Sequence, residues 1–459
     1  MKYRPLNISK ISDRSTLGVE PGLFAGMRLK YTALNQPEKV VCGLIVLAPL
    51  WWLWGWTYLF IIFAAGVFAY EWRSTGTIAL RSPSAIVVFG LCFGCCGMIN
   101  SFFYLQLNGI AFGPRQILGL FESWIIPSML LWYIQSKRLK IRLEPLAWAF
   151  SVLVGEMLLV LLIALVVFQQ QEYQPLRSIF GWLTNKSTAY AHGMGNTNYL
   201  LPYFALDESF IPGLVRYIFF FPGPEALALM AGFIVLLALD LKNRTWSGTL
   251  FACAYFISLL SGTRSVLVSL FLVVILRYVL TAGKTFGLAL VLTVMAAASF
   301  ATFSLPPTSN FVFDGVKQVA QQVDSARADS TAGRSAIYRQ TWQRIVNAPN
   351  RELFLGHIVP GESVTPYYEP AKIGTHSFYL STLLYRSGII GTLIFIGFWA
   401  NVWWWFIRTR HTRPLCCLLV LVLFSLTFTV MELERPVMPL ILLCSMLQQP
   451  NLSLTRRSR

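Results

Sequence analysis

Charge is scarce in this chain, and the scarcity excludes a good deal. Only 12% of the 459 residues are Asp, Glu, Lys or Arg, against about a quarter in an ordinary soluble domain. A water-facing globule of this size would lack the polar groups to cover itself. Acidic residues are fewer than basic ones, 20 against 37. No D-x-D and no cluster of Asp and His is present to hold a catalytic divalent ion, and Asp324 and Asp329 stand alone among Ala and Ser. The phosphate loop G-x-x-x-x-G-K-[ST] is missing, which leaves nucleotide hydrolysis without support. Cysteine supplies no disulfide framework. Cys42, Cys92, Cys95, Cys96, Cys253, Cys416, Cys417 and Cys444 all lie in apolar runs, where they act as small hydrophobes. Cys92 and Cys95 form a C-x-x-C without the second pair a zinc site needs. The reading takes no metal and no cofactor. The first apolar run begins only near Val40, too late for a cleavable signal peptide.

What is present is hydrocarbon. Hydrophobic residues make up 56% of the chain, and runs long enough to cross the ~30 Å apolar core of a bilayer recur along it. The fold class that follows is an all-α polytopic membrane protein. A formal charge of +17 would suggest nucleic acid in a soluble protein. Here Lys and Arg gather in short segments on one side of the spans, the positive-inside pattern, so membrane lipids and not nucleic acid are the expected surroundings.

Read for spans, the chain divides into a basic N-terminal segment, 1–39; nine helices over 40–304; a long polar loop, 305–375; three more helices over 376–448; and a basic tail, 449–459. That makes about twelve transmembrane helices with both termini cytoplasmic and a large outer loop, itself helical in part, between helices nine and ten. The block 40–72 breaks at Gly55 and reads as a tight helical hairpin. The stretch 170–223 has apolar pieces too short to cross and reads as re-entrant or interfacial helices facing outward. Within the loop, a helix is expected from Ser335 to Asn347 with Tyr338, Trp342 and Ile345 on its apolar face, closed by Pro349.

Several residues carry chemistry in this layout. His376 is placed at the first turn of the tenth helix, at the outer surface, where the helix dipole disfavours a protonated imidazole. A neutral imidazole accepts a proton from a hydroxyl; capping or an interfacial berth is the plain alternative. Arg264 follows Ser261-Gly262-Thr263 at a turn between two apolar helices. A guanidinium there is costly unless it meets an anion, and its fork fits diphosphate oxygens, with snorkelling as the alternative. Arg216, flanked by Leu214, Val215, Tyr217 and Ile218, is expected in a re-entrant helix, and Arg334 after Gly333 at a helix start. Glu122 and Glu156 fall inside apolar spans, where a proton path and an interhelical pair are both open readings.

Ser261-Gly262-Thr263-Arg264, Gly333-Arg334, and Gly374-Thr375-His376-Ser377-Phe378-Tyr379-Leu380 with Gly388 and Gly391 occur in the order and sidedness of the O-antigen ligase and polymerase superfamily, which this sequence resembles over about 190–410. Gly195-Asn196-Thr197-Asn198 is similar to that family's G-x-x-N segment. Ser377 and Thr263 depart from the family's usual Asn and Ser, and Ala191 and His192 stand near where an arginine is usual. Arg216, then Arg177, are the substitutes for that cation. The resemblance implies a metal-independent inverting glycosyltransferase of a bacterial inner membrane. His376 would deprotonate the acceptor hydroxyl, and Arg264, with Arg216, Arg334 or Arg177, would hold the diphosphate of an undecaprenyl diphosphate-linked glycan donor at the periplasmic face. The reading favoured is O-antigen ligase, with lipid A–core as acceptor. A polymerase or protein O-oligosaccharyltransferase of the same superfamily is the near alternative. A lipid or solute transporter is the alternative of another class, and it would place polar residues deep in several central helices.

Overall fold

In the computed structural model the described residues are 23–25, 28–107, 118–184, 190, 198–286, 293, 328–364 and 371–448. They build a helical protein around one large apolar core. Several expectations lie outside them: most of the N-terminal segment, His192 and Gly195–Thr197, nearly all of the ninth span, the part 305–327 of the long loop, and the tail.

Among the described residues, Ala85–Gln106, Leu143–Val166, Arg264–Ala282 and the run Phe378–Arg408 are long and apolar enough to cross a bilayer. A fifth span is gained if the bent pair Gln36–Val46 and Ala48–Trp54, 60° apart, is one. The bend lies at Leu47, just before Pro49, which has no N–H to continue the helical ladder. In the block 40–72 the helix breaks at Gly55, as expected, and a separate helix, Leu59–Thr75, follows.

The helix ends explain why other expected spans fall short. One end of the bundle is basic and tightly tied. Arg142, before the Leu143–Val166 helix, binds Glu38 through Nε and Nη2 at 2.8 and 2.7 Å. The Ile141 N–H bonds to Met446 O at 3.0 Å. Arg413 donates to the carbonyls of Cys444, Ser445 and Leu447. Asp240 accepts from Arg277 at 2.6 Å and from the Cys416 N–H at 2.7 Å. From this common end the helices rise to different heights. Leu143–Val166 and Gly388–Arg408, with 24 and 21 residues, rise about 36 and 31 Å at 1.5 Å per residue. Pro224–Ala238, Cys416–Thr427 and Val437–Met446, with 15, 12 and 10 residues, rise only about 22, 18 and 15 Å. The long helices form walls, and the short ones end at a recessed floor.

The Phe378–Arg408 run confirms the depth of that floor. It is apolar on average but is two helices. Gly388, with φ 64 and ψ −171, separates a π-helical segment, Phe378–Ser387, from the Gly388–Arg408 helix. The Phe378 ring lies 4.8 Å from Phe395, and Tyr379 and Trp399 both bond to Ser425. Contacts between residues seventeen and twenty apart are possible only if the first segment folds back along the second. Phe378 therefore sits about 10 Å below Gly388, seven residues down the wall. Phe93, Trp124 and Phe428 close the same ring cluster.

Above the floor the described residues of 170–223 hold one short helix and a strand hairpin where interfacial helices were expected. A short helix, Ile179–Leu183, precedes an antiparallel hairpin of Tyr203–Glu208 with Val215–Tyr217. Burial alternates along its first strand after Phe204, the period of two that marks a sheet. Arg216 is thus on a strand, not in a helix.

Candidate active site

Ser261, Gly262 and Thr263 form the turn between Arg244–Leu260 and the helix opened by Arg264. Ser261 is fully buried; its hydroxyl donates to Ser258 O at 2.7 Å and accepts from the Thr263 N–H at 3.2 Å. Gly262 has φ 64, and a Cβ there would stand 3.4 Å from Arg216 Cγ and Nε, so the turn needs glycine both for its backbone and for the side chain passing over it.

That side chain is the clamp. Arg216 Nε donates to Ser261 O at 2.6 Å, and Nη2 reaches Glu225 Oε1 at 3.2 Å and Thr263 Oγ1 at 3.4 Å. Nη1 faces Asp207 Oδ2 at 3.8 Å. Arg216 therefore fixes the position of Arg264 and carries two carboxylates beside it. Arg177, by contrast, pairs with Tyr199 across a strand bridge, and among the described residues no contact ties it to this turn.

His376 is held from several directions. Thr341 Oγ1 accepts from the Gly374 N–H at 2.9 Å, Ser381 Oγ donates to Thr375 O at 2.7 Å, and the Tyr338 hydroxyl donates to His376 O at 3.0 Å. Gly374 has φ 79 and lies against the Tyr385 ring. His376 itself has φ 69, and Ser377 is the N-cap of the following segment, its Oγ accepting from the Leu380 N–H at 3.3 Å. The histidine is thus outside the helix, two residues before its first, and on the recessed floor instead of the outer surface. Its pKa is lowered, as expected, but for another reason. Burial comes first and the Arg334 cation second; Glu432 and Glu225 pull the other way.

Arg334 sits on a helix that runs Ala328–Val346. It is in the second turn and not at the start, so it does not oppose the dipole end. One turn later Tyr338 reaches the histidine backbone. The buried face of this helix is Ile337, Thr341 and Ile345, whereas Trp342 is 55% exposed, because the helix lies down on the His376 loop with the 337–341–345 stripe inward.

The sequence reading missed the carboxylates. Glu225 binds Arg216 and acts on His376, so it joins the turn and the histidine in one site. Glu432 pairs with Arg386 at 3.2 Å and also acts on His376. The Glu434 carboxyl is pushed up to about 8, by burial and then by Glu225 and Glu432, with Arg435 opposing. Glu122 acts on Arg435 and accepts from the Tyr58 backbone, while Glu156 keeps a buried oxygen without a partner; the two do not pair. The signal available was Glu432-Leu433-Glu434-Arg435 between two apolar runs, a place where ionisable groups are seldom idle. Among the described residues, His, Cys, Asp and Glu do not gather in threes at metal-ligand spacing.

No curated protein matches the chain. Residues 249–396 match the family model described as O-antigen ligase, a segment that contains Arg264, Arg334, Thr375 and His376 and stops within the Gly388–Arg408 wall. The match covers about a third of the chain, and over that segment the protein is similar to the O-antigen ligase family.

Proposed function

We propose that the protein transfers a glycan from a lipid diphosphate carrier to a sugar hydroxyl of lipid A–core, acting as an O-antigen ligase with the basic end in the cytoplasm and the floor open to the periplasm. The observation that carries the reading is a half-buried imidazole of lowered basicity beside Arg334, joined through Glu225 to the clamped Arg264 turn. In the reaction, the acceptor O–H proton passes to His376. The freed oxygen attacks the anomeric carbon, and the carbon–oxygen bond to the diphosphate breaks with its electron pair leaving on the lipid diphosphate. Attack opposite the leaving group inverts the anomeric centre. Arg264 and Arg334 stabilise the charge that develops on the leaving oxygens, and Arg216 holds the turn that aims Arg264. A recessed floor suits a donor whose diphosphate lies at headgroup depth while its sugars extend outward and its chain stays among the helices.

The test uses the purified protein in lipid nanodiscs with undecaprenyl diphosphate-linked glycan, offered either lipid A–core or a second carrier-linked repeat. Transfer only to lipid A–core supports the ligase; chain growth on the carrier would make the protein a polymerase. His376→Ala abolishes transfer with the fold retained; full activity in that variant would remove the general base. Arg264→Lys keeps the charge and loses the fork, so unimpaired donor binding would remove its bidentate role.

A further inference from the structure

The protons around His376 can be assigned from geometry. Thr375 Oγ1 lies 2.6 Å from Lys372 O and 2.8 Å from His376 Nδ1. A hydroxyl has one proton to donate. Two oxygens at 2.6 Å repel unless a proton lies between them, and a carbonyl has none, so the Thr375 proton points at Lys372 O. Its lone pair then faces the imidazole and must receive an N–H. In the neutral ring the single proton is therefore on Nδ1, and the lone pair is on Nε2. The same contact persists when the ring is protonated, so it serves the imidazole both before and after it takes a proton.

We infer that Thr375 is a positioning residue that fixes His376 in the Nδ1–H tautomer and so makes Nε2 the proton acceptor. This rests on the reading of His376 as general base, and it extends that reading to the choice of nitrogen. The role parallels the carboxylate of a catalytic triad, which orients a histidine and sets its tautomer, with a neutral hydroxyl locked by a backbone carbonyl in its place. The hydroxyl leaves the charge of the site unchanged, which matters where the ring must stay neutral beside Arg334. The surrounding bonds to Thr341, Ser381 and Tyr338 hold the backbone, so the ring orientation does not depend on the Thr375 hydroxyl alone.

The experiment is nitrogen NMR of the full chain in nanodiscs with labelled histidine. There are four histidines, and His376→Gln identifies the signal by its loss. The expected wild-type spectrum shows the proton on Nδ1 of His376; Thr375→Val, which keeps the side-chain shape, gives a tautomer mixture, and Thr375→Ser restores the Nδ1 form. In transfer assays Thr375→Val lowers kcat roughly ten- to hundredfold, the worth of one hydrogen bond to a group that becomes charged, with donor KM unchanged, and Thr375→Ser recovers most of it. A wild-type proton on Nε2, or a Thr375→Val variant with wild-type tautomer and kcat, would overturn the assignment. Full transfer by His376→Gln would instead overturn the general base, and with it the catalytic use of the tautomer, while the spectrum still reported which nitrogen carries the proton.

Discussion

Arg216 offers the sharpest test of how the site is held together. Its side chain is 14% exposed and meets Ser261 O, Glu225 and Thr263. Each bond from an ionised donor is worth about 1.5–3 kcal/mol when its partner is left unmet, but the sum overcounts. Glu225 and Asp207 are 32% and 31% exposed, so water repairs part of the loss. The net cost of Arg216→Ala is about 3 kcal/mol, at the low end for breaking a buried pair, and it falls on the turn. Amide hydrogen exchange reads such local opening; at 1.4 kcal/mol per decade, exchange of the Ser261–Leu267 amides rises about hundredfold, and that of the basic end does not change. Arg216→Lys recovers only part, since an ammonium cannot reach all three partners in the plane they require. An exchange change under about threefold, together with a higher donor KM and an unchanged kcat, would show that Arg216 grips the donor and does not clamp the turn.

Four further outcomes follow from the same geometry. Transfer falls on the acid side as His376 gains a proton; since burial and Arg334 lower its pKa, a pH–kcat profile places that limb below about 6.5, the ordinary histidine value. Glu434, pushed up to about 8, is neutral at physiological pH; above 8 it adds a third negative charge beside Glu225 and Glu432, so donor KM rises there, and Glu434→Gln removes the rise. The folded protein holds that proton where the unfolded chain has lost it, so Glu434 contributes stability that is complete below the carboxyl's ordinary range and is lost as pH climbs through 8, which thermal unfolding of wild type and Glu434→Gln compares. Gly374→Ala would put a Cβ 2.3 Å from the Tyr385 ring at φ 79; it loses transfer and destabilises the loop by at least about 2 kcal/mol, and Tyr385→Leu in the same chain restores part of the activity.

His376, Arg264 and Arg334 stand out in the sequence because each lies near glycines or at the edge of an apolar run, where a polar residue is conspicuous. Arg216 was legible as a cation among apolar neighbours, but its task was not: a strand partner and two carboxylates decide it, and these come from 207 and 225. The carboxylates escaped for the same reason. Glu225 reads as an acid in a helix's first turn, a common place for one. Only the fold brings it between Arg216 and His376. Thr375 was hidden beside the residue it serves, since nothing in a sequence says which way a hydroxyl points.

The span count was less legible, and the cause is the same recess that makes the site. Hydropathy assumes that each apolar run crosses the whole bilayer. Pro224–Ala238, Cys416–Thr427 and Val437–Met446 are shorter than full spans, and polar groups such as Glu225 stand at their upper ends. The 31-residue run from Phe378 to Arg408, apolar on average, looks like one long span, yet it folds back at Gly388 and so sets His376, two residues before Phe378, near those ends. Lengthening the floor helices to full spans would fill the space above His376 with side chains. On the proposed function, the helices that look too short to cross are the ones that would leave room for a lipid diphosphate and its acceptor to meet.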